Sequence, residues 1–262
     1  MSMTTSRRWC GRWSNKPPDP STLSGTSCVI LLRSLLFLLI QIVFTAVFAV
    51  AALPAALLPP IPRYRFIGLW ARVVMVLARH VLGIRYRVLG LEHLPAAGPA
   101  IVMSKHQSAW ETIAYQLIFP PLSFVLKKEL LRLPFFGWGL AMISPIAIDR
   151  EAGREALKDI EAQGADRLAK GFWVLIFPEG TRVRHGEKGK YNIGGAWLAA
   201  KTGAPVIPVA HNAGRLWPKS AFLKRPGEIT VSIGPAIESA GKKPGAINSE
   251  VEAWIEAEML KL

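Results

Sequence analysis

The pattern of apolar positions begins with one long hydrophobic segment near the start of the chain. No charged side chain occurs between Arg33 and Arg63, and residues 35–53 are almost entirely apolar. At a rise of about 1.5 Å per residue, a helix of this length matches a bilayer hydrocarbon core about 30 Å thick. The pattern therefore predicts a membrane-anchoring segment over residues 29–62, which either crosses the bilayer or lies in one leaflet.

A cleaved signal peptide is the alternative interpretation of this segment. Small residues such as Ala49 and Ala51 would suit cleavage, but the polar region before the segment and the apolar run itself are both too long for that class. Residues 1–28 carry several Pro, Ser, Thr and Gly, and this composition predicts a disordered basic N-terminus.

An amphipathic helix is predicted next, over residues 63–82. Its arginines Arg65, Arg72 and Arg79 fall seven apart and form one cationic stripe. Such a helix either lies in a membrane interface with arginines extended to lipid phosphates, or is an ordinary helix with a solvated basic face. The basic residues that follow the anchor favour a cytoplasmic location for the rest of the chain. The apolar residues beside the stripe recur at helical spacing: Phe66, Leu69, Trp70, Val73, Val74 and Leu77.

Residues 83–262 alternate short apolar runs with helix-like stretches, which predicts an α/β domain. Helices are predicted at residues 154–170 and 249–262, with others in the remaining gaps. Strands are predicted at residues 85–89, 100–103, 123–126, 145–148, 172–177, 206–209 and 229–233.

Composition and charge narrow the class of partner. The chain of 262 residues is 51% hydrophobic and carries a formal charge of +14, which favours an anionic partner such as a phospholipid surface, an acidic protein or nucleic acid. The basic residues are not interleaved with aromatics as in a nucleic-acid module, so no nucleic acid is expected. Cys10 and Cys28 both precede the apolar run, which leaves the main domain without a thiol and fits a reducing compartment.

Several familiar catalytic motifs are missing from the sequence. It contains no G-x-S-x-G, no phosphate-binding G-x-x-x-x-G-K-[ST] and no H-E-x-x-H, and the glycines at 137 and 139 lack the third glycine of a dinucleotide loop. The five histidines are scattered without ligand spacing, so no metal site is expected.

The first candidate for chemistry is His106, which follows the predicted strand at residues 100–103 and precedes Glu111 by five positions. Histidine accepts a proton near neutral pH, and a carboxylate on its other nitrogen fixes the tautomer. The alternative is purely structural, since Ser108 and Glu111 also have the spacing of a capping box at a helix start.

The second candidate is the hexapeptide Phe-Pro-Glu-Gly-Thr-Arg at residues 177–182, which closes an apolar strand. Pro and Gly bend the chain and expose backbone N–H groups, so that Thr181 and Arg182 suit a phosphate cradle. The alternative is a plain turn with a solvated arginine. Lys127 and Arg150 follow other strands and are weaker signals, because strands commonly end in solvated charge.

In their order along the chain, these elements resemble the four sequence blocks of the glycerolipid acyltransferase family. The blocks are the His-x4-acid element, Ile-Asp-Arg at residues 148–150, the hexapeptide at residues 177–182, and Val-Ile-Pro-Val at residues 206–209. The similarity extends from about residue 61 to the C-terminus and is greatest to bacterial 1-acyl-sn-glycerol-3-phosphate acyltransferases. The hexapeptide is its most specific part.

The resemblance implies a mixed sheet flanked by helices and a membrane enzyme on the cytoplasmic face of the inner membrane. The implied reaction moves an acyl group from acyl carrier protein or coenzyme A to the sn-2 hydroxyl of lysophosphatidic acid, giving phosphatidic acid. The thioester is a cosubstrate, and no cofactor is expected. By the same resemblance His106 is the general base and Glu111 its partner. The implied glycerol phosphate ligands are Lys127, Arg150 and Arg182, and the implied pocket residues are Glu179, Gly180 and Thr181.

The chain departs from the family pattern at three positions. Lys105 precedes the histidine where the family usually has Asn, and Glu111 stands where Asp is usual. Asn192 replaces the lysine of a Phe-Lys-x-Gly stretch, which Lys188 or Lys190 would have to supply. These departures bear on rate and substrate preference more than on the class of reaction.

Two other functions remain open at the level of sequence. One is acylation of a different lyso-lipid, such as a lyso-ornithine lipid, which carries no phosphate for the arginines to bind. The other is a non-catalytic protein that binds anionic lipid, which the net charge and the arginine stripe would explain.

Overall fold

A computed structural model describes the backbone of residues 20–262 and the side chains from residue 27 onward. Two long helices, α1 (Pro20–Ala51) and α2 (Pro60–His80), precede the sheet domain. The strands are β1 (Ile84–Leu89), β2 (Ile101–Ser104), β3 (Leu122–Lys127), β4 (Ile146–Ile148), β5 (Trp173–Ile176), β6 (Val206–His211) and β7 (Gly227–Ile233). The further helices are α3 (Trp110–Ile118), α4 (Phe136–Met142), α5 (Arg154–Ala169), α6 (Gly194–Thr202) and α7 (Pro244–Met259).

The strands form one mixed sheet in the order β1-β7-β6-β2-β5-β3-β4. The five strands from β6 to β4 are mutually parallel, whereas β7 runs antiparallel to β6 and β1 pairs parallel with β7. The predicted α/β class and the implied mixed sheet are therefore confirmed. Each predicted strand is present, with ends shifted by no more than two residues.

The two faces of the sheet are covered by different helices. In β2, Val102 packs in a cluster with Val74 of α2, whereas Met103 on the opposite face packs with Leu198 of α6 and Val251 of α7. These side chains are fully buried, and burial of each contributes about 1.5–3 kcal/mol to folding. The N-terminal helices thus lie on one side of the sheet and α5, α6 and α7 on the other.

Helix α1 is longer than the sequence predicts. It begins at Pro20, so residues 20–28 belong to the helix and not to a disordered segment; the fixed φ of proline suits a first helical turn. The predicted disorder of residues 1–19 lies outside the described residues. The part of α1 from Ser27 to Ala51 is long and apolar enough to cross a membrane, and the mean hydropathy of its 18-residue window is 2.5.

Most of the apolar surface of α1 is not covered by the rest of the protein. Leu32, Val43 and Val47 each expose more than 60% of their surface. The helix is nevertheless attached to the sheet domain, because Phe37 is fully buried and its ring meets the ring of Trp217 edge-on at 5.3 Å. The exposed surface is what a membrane segment requires.

Helix α2 has two apolar faces instead of the one that the sequence predicts. Val74 is fully buried against the sheet domain, whereas Phe66, Leu69 and Val73 are exposed. The arginines Arg65, Arg72 and Arg79 lie on this exposed side. An outward face that mixes large apolar side chains with arginines is typical of helices at a membrane interface.

Candidate active site

The candidate residues meet where the neighbouring strands β2 and β5 end. His106 lies in the loop between β2 and α3, and the hexapeptide at residues 177–182 follows β5 directly. The main chain joins the two loops, because the N–H of Val183 donates to the carbonyl oxygen of His106 at 2.8 Å. The carboxyl ends of parallel strands are the usual place for a ligand crevice in an open α/β sheet.

His106 and Glu111 form a direct pair. The distance from His106 Nδ1 to Glu111 Oε1 is 2.8 Å, and the glutamate side chain is fully buried while the histidine side chain is 15% exposed. A carboxylate can only accept, so Nδ1 carries the proton in this contact. The remaining nitrogen, Nε2, then has a lone pair that can take a proton from a substrate.

The capping and pairing interpretations of Glu111 are both realised. The same oxygen that faces His106 also accepts the N–H groups of Gln107 at 2.9 Å and Ser108 at 2.8 Å. Ser108 Oγ in turn accepts the N–H of Trp110, where α3 begins, at 3.0 Å. Three donors on one carboxylate oxygen fix its position, so the helix start also orients the histidine. The longer glutamate reaches hydrogen-bonding distance without difficulty.

A second buried histidine lies behind this pair. His211 Nε2 is 2.9 Å from the carbonyl oxygen of Lys105, and His211 Nδ1 accepts the N–H of Ala213, which defines a neutral ring with its proton on Nε2. Burial lowers the pKa of His211, although the nearby Glu111 opposes this shift. Sequence reasoning assigned no function to His211, whose only signal was its position just after the Val-Ile-Pro-Val block.

The electrostatics favour an ionised Glu111. Burial acts to raise the pKa of this carboxyl group, but the imidazoles of His211 and His106 and the hydrogen bond from Ser108 outweigh it and hold the pKa below its ordinary value. An ionised carboxylate beside His106 stabilises the imidazolium that forms when the ring accepts a proton.

Glu179 of the hexapeptide holds the main chain at His106. Its Oε2 accepts the N–H of His106 at 2.9 Å, and its Oε1 lies 2.7 Å from Lys105 Nζ. Glu179 and Lys105 are both buried, and a buried charge needs such partners. The resemblance implied that Glu179 shapes the phosphate pocket; its observed contacts are to the protein.

Lys105 also connects the site to the C-terminal helix. Its ammonium lies 2.9 Å from Glu256 Oε1 of α7 and 3.2 Å from the carbonyl oxygen of Glu187. The hydroxyl of Tyr191 donates to the same Glu256 oxygen at 2.7 Å. Burial, reinforced by that carboxylate, holds the pKa of Tyr191 above its usual range. The lysine that departs from the family pattern thus has its own set of counter-charges, which sequence reasoning missed.

The hexapeptide also contacts the face of the histidine ring. The ring of Phe177 is stacked on His106, with 3.9 Å between ring centroids and 15° between their planes. Gly180 has a φ of +67°, and a Cβ there would lie 3.2 Å from Asn192 Nδ2, so glycine suits the turn. The stacked ring and the tight turn leave His106 limited freedom to rotate.

The three predicted phosphate ligands differ in their relation to this loop. Arg150 donates to the carbonyl oxygen of Gly180, and Arg182 lies beside the residue that bonds His106, so both are at the loop. Lys127, at the end of β3, lies 3.9 Å from Glu129 and is 44% exposed. The hydroxyl of Thr181 accepts from Lys219 at 3.4 Å, which adds a fourth cation to the rim of the site.

Asn192 braces the hexapeptide and supplies no charge. Both its main-chain and side-chain N–H groups donate to the carbonyl oxygen of Pro178, at 2.8 and 2.9 Å. Lys188, one of the two lysines considered as a substitute, pairs with Glu252 of α7 at 2.7 Å. Lys190 is exposed.

A cavity of about 490 Å³ opens beside the hexapeptide, on the α5 and α6 side of the sheet. Its walls are largely apolar, with Ile148, Ile176 and Phe177 among them, and it is also lined by Arg150 and Arg154. Apolar walls with a few convergent polar groups are typical of small-molecule sites.

Comparisons with known proteins show the family of this chain. The acyltransferase family model matches residues 85–212, which include His106, Glu111 and the hexapeptide. A 1-acyl-sn-glycerol-3-phosphate acyltransferase from Pseudomonas aeruginosa is 51% identical over 212 residues, covering 79% of this chain and 82% of the relative. The chloroplastic 1-acyl-sn-glycerol-3-phosphate acyltransferase LPAT1 from Arabidopsis thaliana is 29% identical, and the match covers 67% of this chain and 49% of that longer protein.

The fold is also similar to a solved structure. The crystal structure of the 1-acyl-sn-glycerophosphate acyltransferase PlsC from Thermotoga maritima superposes with a TM-score of 0.73 over 88% of this chain and 95% of that chain. Sequence identity in that comparison is 23%, so the likeness is one of fold.

Proposed function

The chain belongs to the acyltransferase family, and on that premise we propose that it acylates the sn-2 hydroxyl of 1-acyl-sn-glycerol-3-phosphate to give phosphatidic acid. The names of its relatives support this acceptor. The acyl donor is a thioester of acyl carrier protein or coenzyme A, which is consumed as a cosubstrate, and the chemistry needs no further cofactor.

The observation that carries the proposal is the pairing of His106 with a fully buried, ionised Glu111. A histidine whose Nδ1 proton is fixed by a carboxylate presents Nε2 as a base. The peripheral lipid-binding function predicts no such pair, since binding alone has no use for a positioned base.

Transfer proceeds in one direct displacement. His106 Nε2 removes the proton of the sn-2 hydroxyl, and the alkoxide oxygen attacks the thioester carbonyl carbon. The C–S bond then breaks, and the departing thiolate takes the proton from the imidazolium. General base catalysis contributes about 10²- to 10⁴-fold, so positioning and stabilisation of the oxyanion supply the remainder of the acceleration.

The cations of the site bind the acceptor's phosphate. Arg150 and Arg182 at the hexapeptide offer guanidinium groups, which form paired hydrogen bonds with phosphate oxygens. Lys127 supplies a further charge from the adjacent strand end, and Gly180 and Thr181 line the approach. Holding the phosphate fixes the distance between His106 and the hydroxyl to be acylated.

The enzyme works at the inner membrane with its catalytic domain on the cytoplasmic side. Helix α1 supports membrane association by its length and apolar character. The basic residues that follow it, among them Arg63 and Arg65, support the orientation, because positive charge is retained on the cytoplasmic side.

Acceptor and donor choice are tested together in detergent micelles with purified protein. Wild type and His106→Ala receive lysophosphatidic acid or lyso-ornithine lipid, each with acyl carrier protein or coenzyme A thioester; His80→Ala, an exposed histidine on α2, is the matched control. We expect phosphatidic acid from wild type and His80→Ala only. Preferred acylation of lyso-ornithine lipid would assign the alternative acceptor, and no consumption of thioester by wild type would favour a lipid-binding protein.

A further inference from the structure

A dense patch of exposed hydrophobic side chains lies between β3 and β4, outside the catalytic site. Residues 130–138 reach into the first turn of α4, and we call them the aromatic loop. Five large apolar residues in it each expose between 37% and 46% of their surface: Leu130, Leu133, Phe135, Phe136 and Trp138. No charged residue occurs between Arg132 and Asp149. A contiguous exposed apolar patch of this kind marks an interaction surface.

The aromatic loop is continuous with the N-terminal helices. Its Phe136 ring meets Trp70 of α2 edge-on at 6.5 Å, and Trp70 Nε1 donates to Thr45 of α1 at 3.0 Å. Phe66 of α2 is stacked on Phe48 of α1 at 6.0 Å and extends the same apolar surface. The loop is therefore fixed against α1 and α2, and its exposed side chains face the same surroundings as theirs.

The local backbone holds the loop in its shape. Phe135 has a φ of +59°, a conformation that L-residues other than glycine rarely adopt and that costs about 1–3 kcal/mol. Next to Phe136, Gly137 is buried, and a Cβ there would lie 2.5 Å from the carbonyl oxygen of Leu131. Trp138 packs on Phe135 with ring centroids 5.0 Å apart. A strained turn that holds two aromatic rings at the surface indicates that the exposed rings have a function.

Cations flank the patch on both sides. Lys127, Lys128 and Arg132 precede the apolar run, and beyond it Arg63 of α2 donates to the carbonyl oxygen of Met142 at 2.8 Å. Aromatic rings bordered by basic side chains suit the headgroup region of an anionic leaflet. A second copy of the chain is a poorer occupant, because a symmetric contact would bring these like charges together.

We propose that the aromatic loop inserts into the same lipid leaflet as the exposed faces of α1 and α2, as a third membrane contact made by the catalytic domain itself. The loop begins three residues after β3 ends at Lys127, so insertion brings Lys127 and the neighbouring site to headgroup depth. That consequence for the substrate rests on the proposed acyltransferase function; insertion itself does not.

The test measures the depth of single positions in the full chain. Leu133→Cys and Leu91→Cys are matched, because the two leucines are 46% and 51% exposed and Leu91 lies near the far edge of the sheet. Each is made with Cys10→Ser and Cys28→Ser, labelled with an environment-sensitive fluorophore, and reconstituted into vesicles of phosphatidylethanolamine and phosphatidylglycerol. Nitroxide-labelled lipids then quench the probes that lie in the leaflet; Trp138→Cys provides a second position in the loop.

We expect lipid quenching at residues 133 and 138 to be about threefold or more that at residue 91. Equal quenching at residues 133 and 91 would overturn the proposal. A blue-shifted probe at residue 133 that nitroxide lipids do not quench would also overturn it, because protein would then cover the patch. None of these readings depends on turnover, so they stand whether or not the acylation assay succeeds.

Discussion

The two halves of the site are built differently. The acid–base half is buried: Glu111 is fully enclosed, accepts three hydrogen bonds on one oxygen, and has Lys105 and Glu179 close behind the histidine. The cationic half is open, with Lys127 44% exposed and Arg150 donating to the carbonyl oxygen of Gly180. We infer that His106 and Glu111 already have their working geometry before substrate binds. The phosphate-binding cations reach theirs only around the bound substrate. Preorganised groups lower the barrier, and exposed cations mainly contribute affinity and steering.

Removing the charge of Glu111 should have the largest effect on the reaction. For Glu111→Gln we expect kcat to fall about 10²- to 10⁴-fold, because an amide neither fixes the histidine tautomer nor stabilises the imidazolium. Steady-state kinetics and thermal unfolding are measured together, with the exposed Glu92→Gln as control. Normal kcat with reduced thermal stability would mean that Glu111 serves only as a helix cap.

Removing the buried ammonium should have the largest effect on folding. We expect Lys105→Met to lower the free energy of unfolding by about 3–5 kcal/mol, because Glu179 would be left as a buried charge with a missing partner. Chemical unfolding in detergent micelles checks this, with the exposed Lys158→Met expected to change stability by about 0.5 kcal/mol or less. Equal stability of the two variants would show that the buried network contributes nothing.

On the open side, loss of a cation should change binding more than chemistry. For Arg182→Ala we expect the apparent KM for lysophosphatidic acid to rise about 10- to 100-fold with little change in kcat, since a charged hydrogen bond contributes about 1.5–3 kcal/mol. Arg184→Ala, an exposed arginine two residues away, is the control. If KM is unchanged, Arg182 does not contact the phosphate.

The smallest expected effect is a dependence of stability on pH. Because burial lowers the pKa of His211, the unfolded state binds a proton below about pH 6.5 while the folded state does not, so acid favours unfolding in that range. We expect wild type to lose up to about 1.4 kcal/mol per pH unit there, and His211→Gln to lose less. If the free energy of unfolding changes equally with pH in the two proteins, His211 does not cause the pH dependence.

Features that depend on neighbouring residues could be predicted from the sequence, whereas contacts between residues far apart in the chain could not. The strands were found because runs such as Trp173–Ile176 are short, apolar and bounded by turn residues. The contact between Lys105 and Glu256 joins residues 151 positions apart and has no local signature. The aromatic loop was missed because residues 130–138 show no sustained helical or strand periodicity.

The two interpretations of Glu111 from sequence, a helix cap and a partner for His106, do not exclude each other. Both explain the same spacing, and one carboxylate oxygen accepts hydrogen bonds from Ser108, Gln107 and His106 at once. The start of α1 was placed too late because its first turns are polar, and polarity alone does not distinguish a helix terminus from a flexible tail.

The most direct measurement is the single-turnover rate of acyl transfer to lysophosphatidic acid by His106→Ala, at saturating thioester and lipid. We expect a rate about 10²- to 10⁴-fold below wild type, with the affinity for lysophosphatidic acid unchanged, because the cationic half of the site is left intact. A single-turnover rate within about twofold of wild type would contradict a general base at His106.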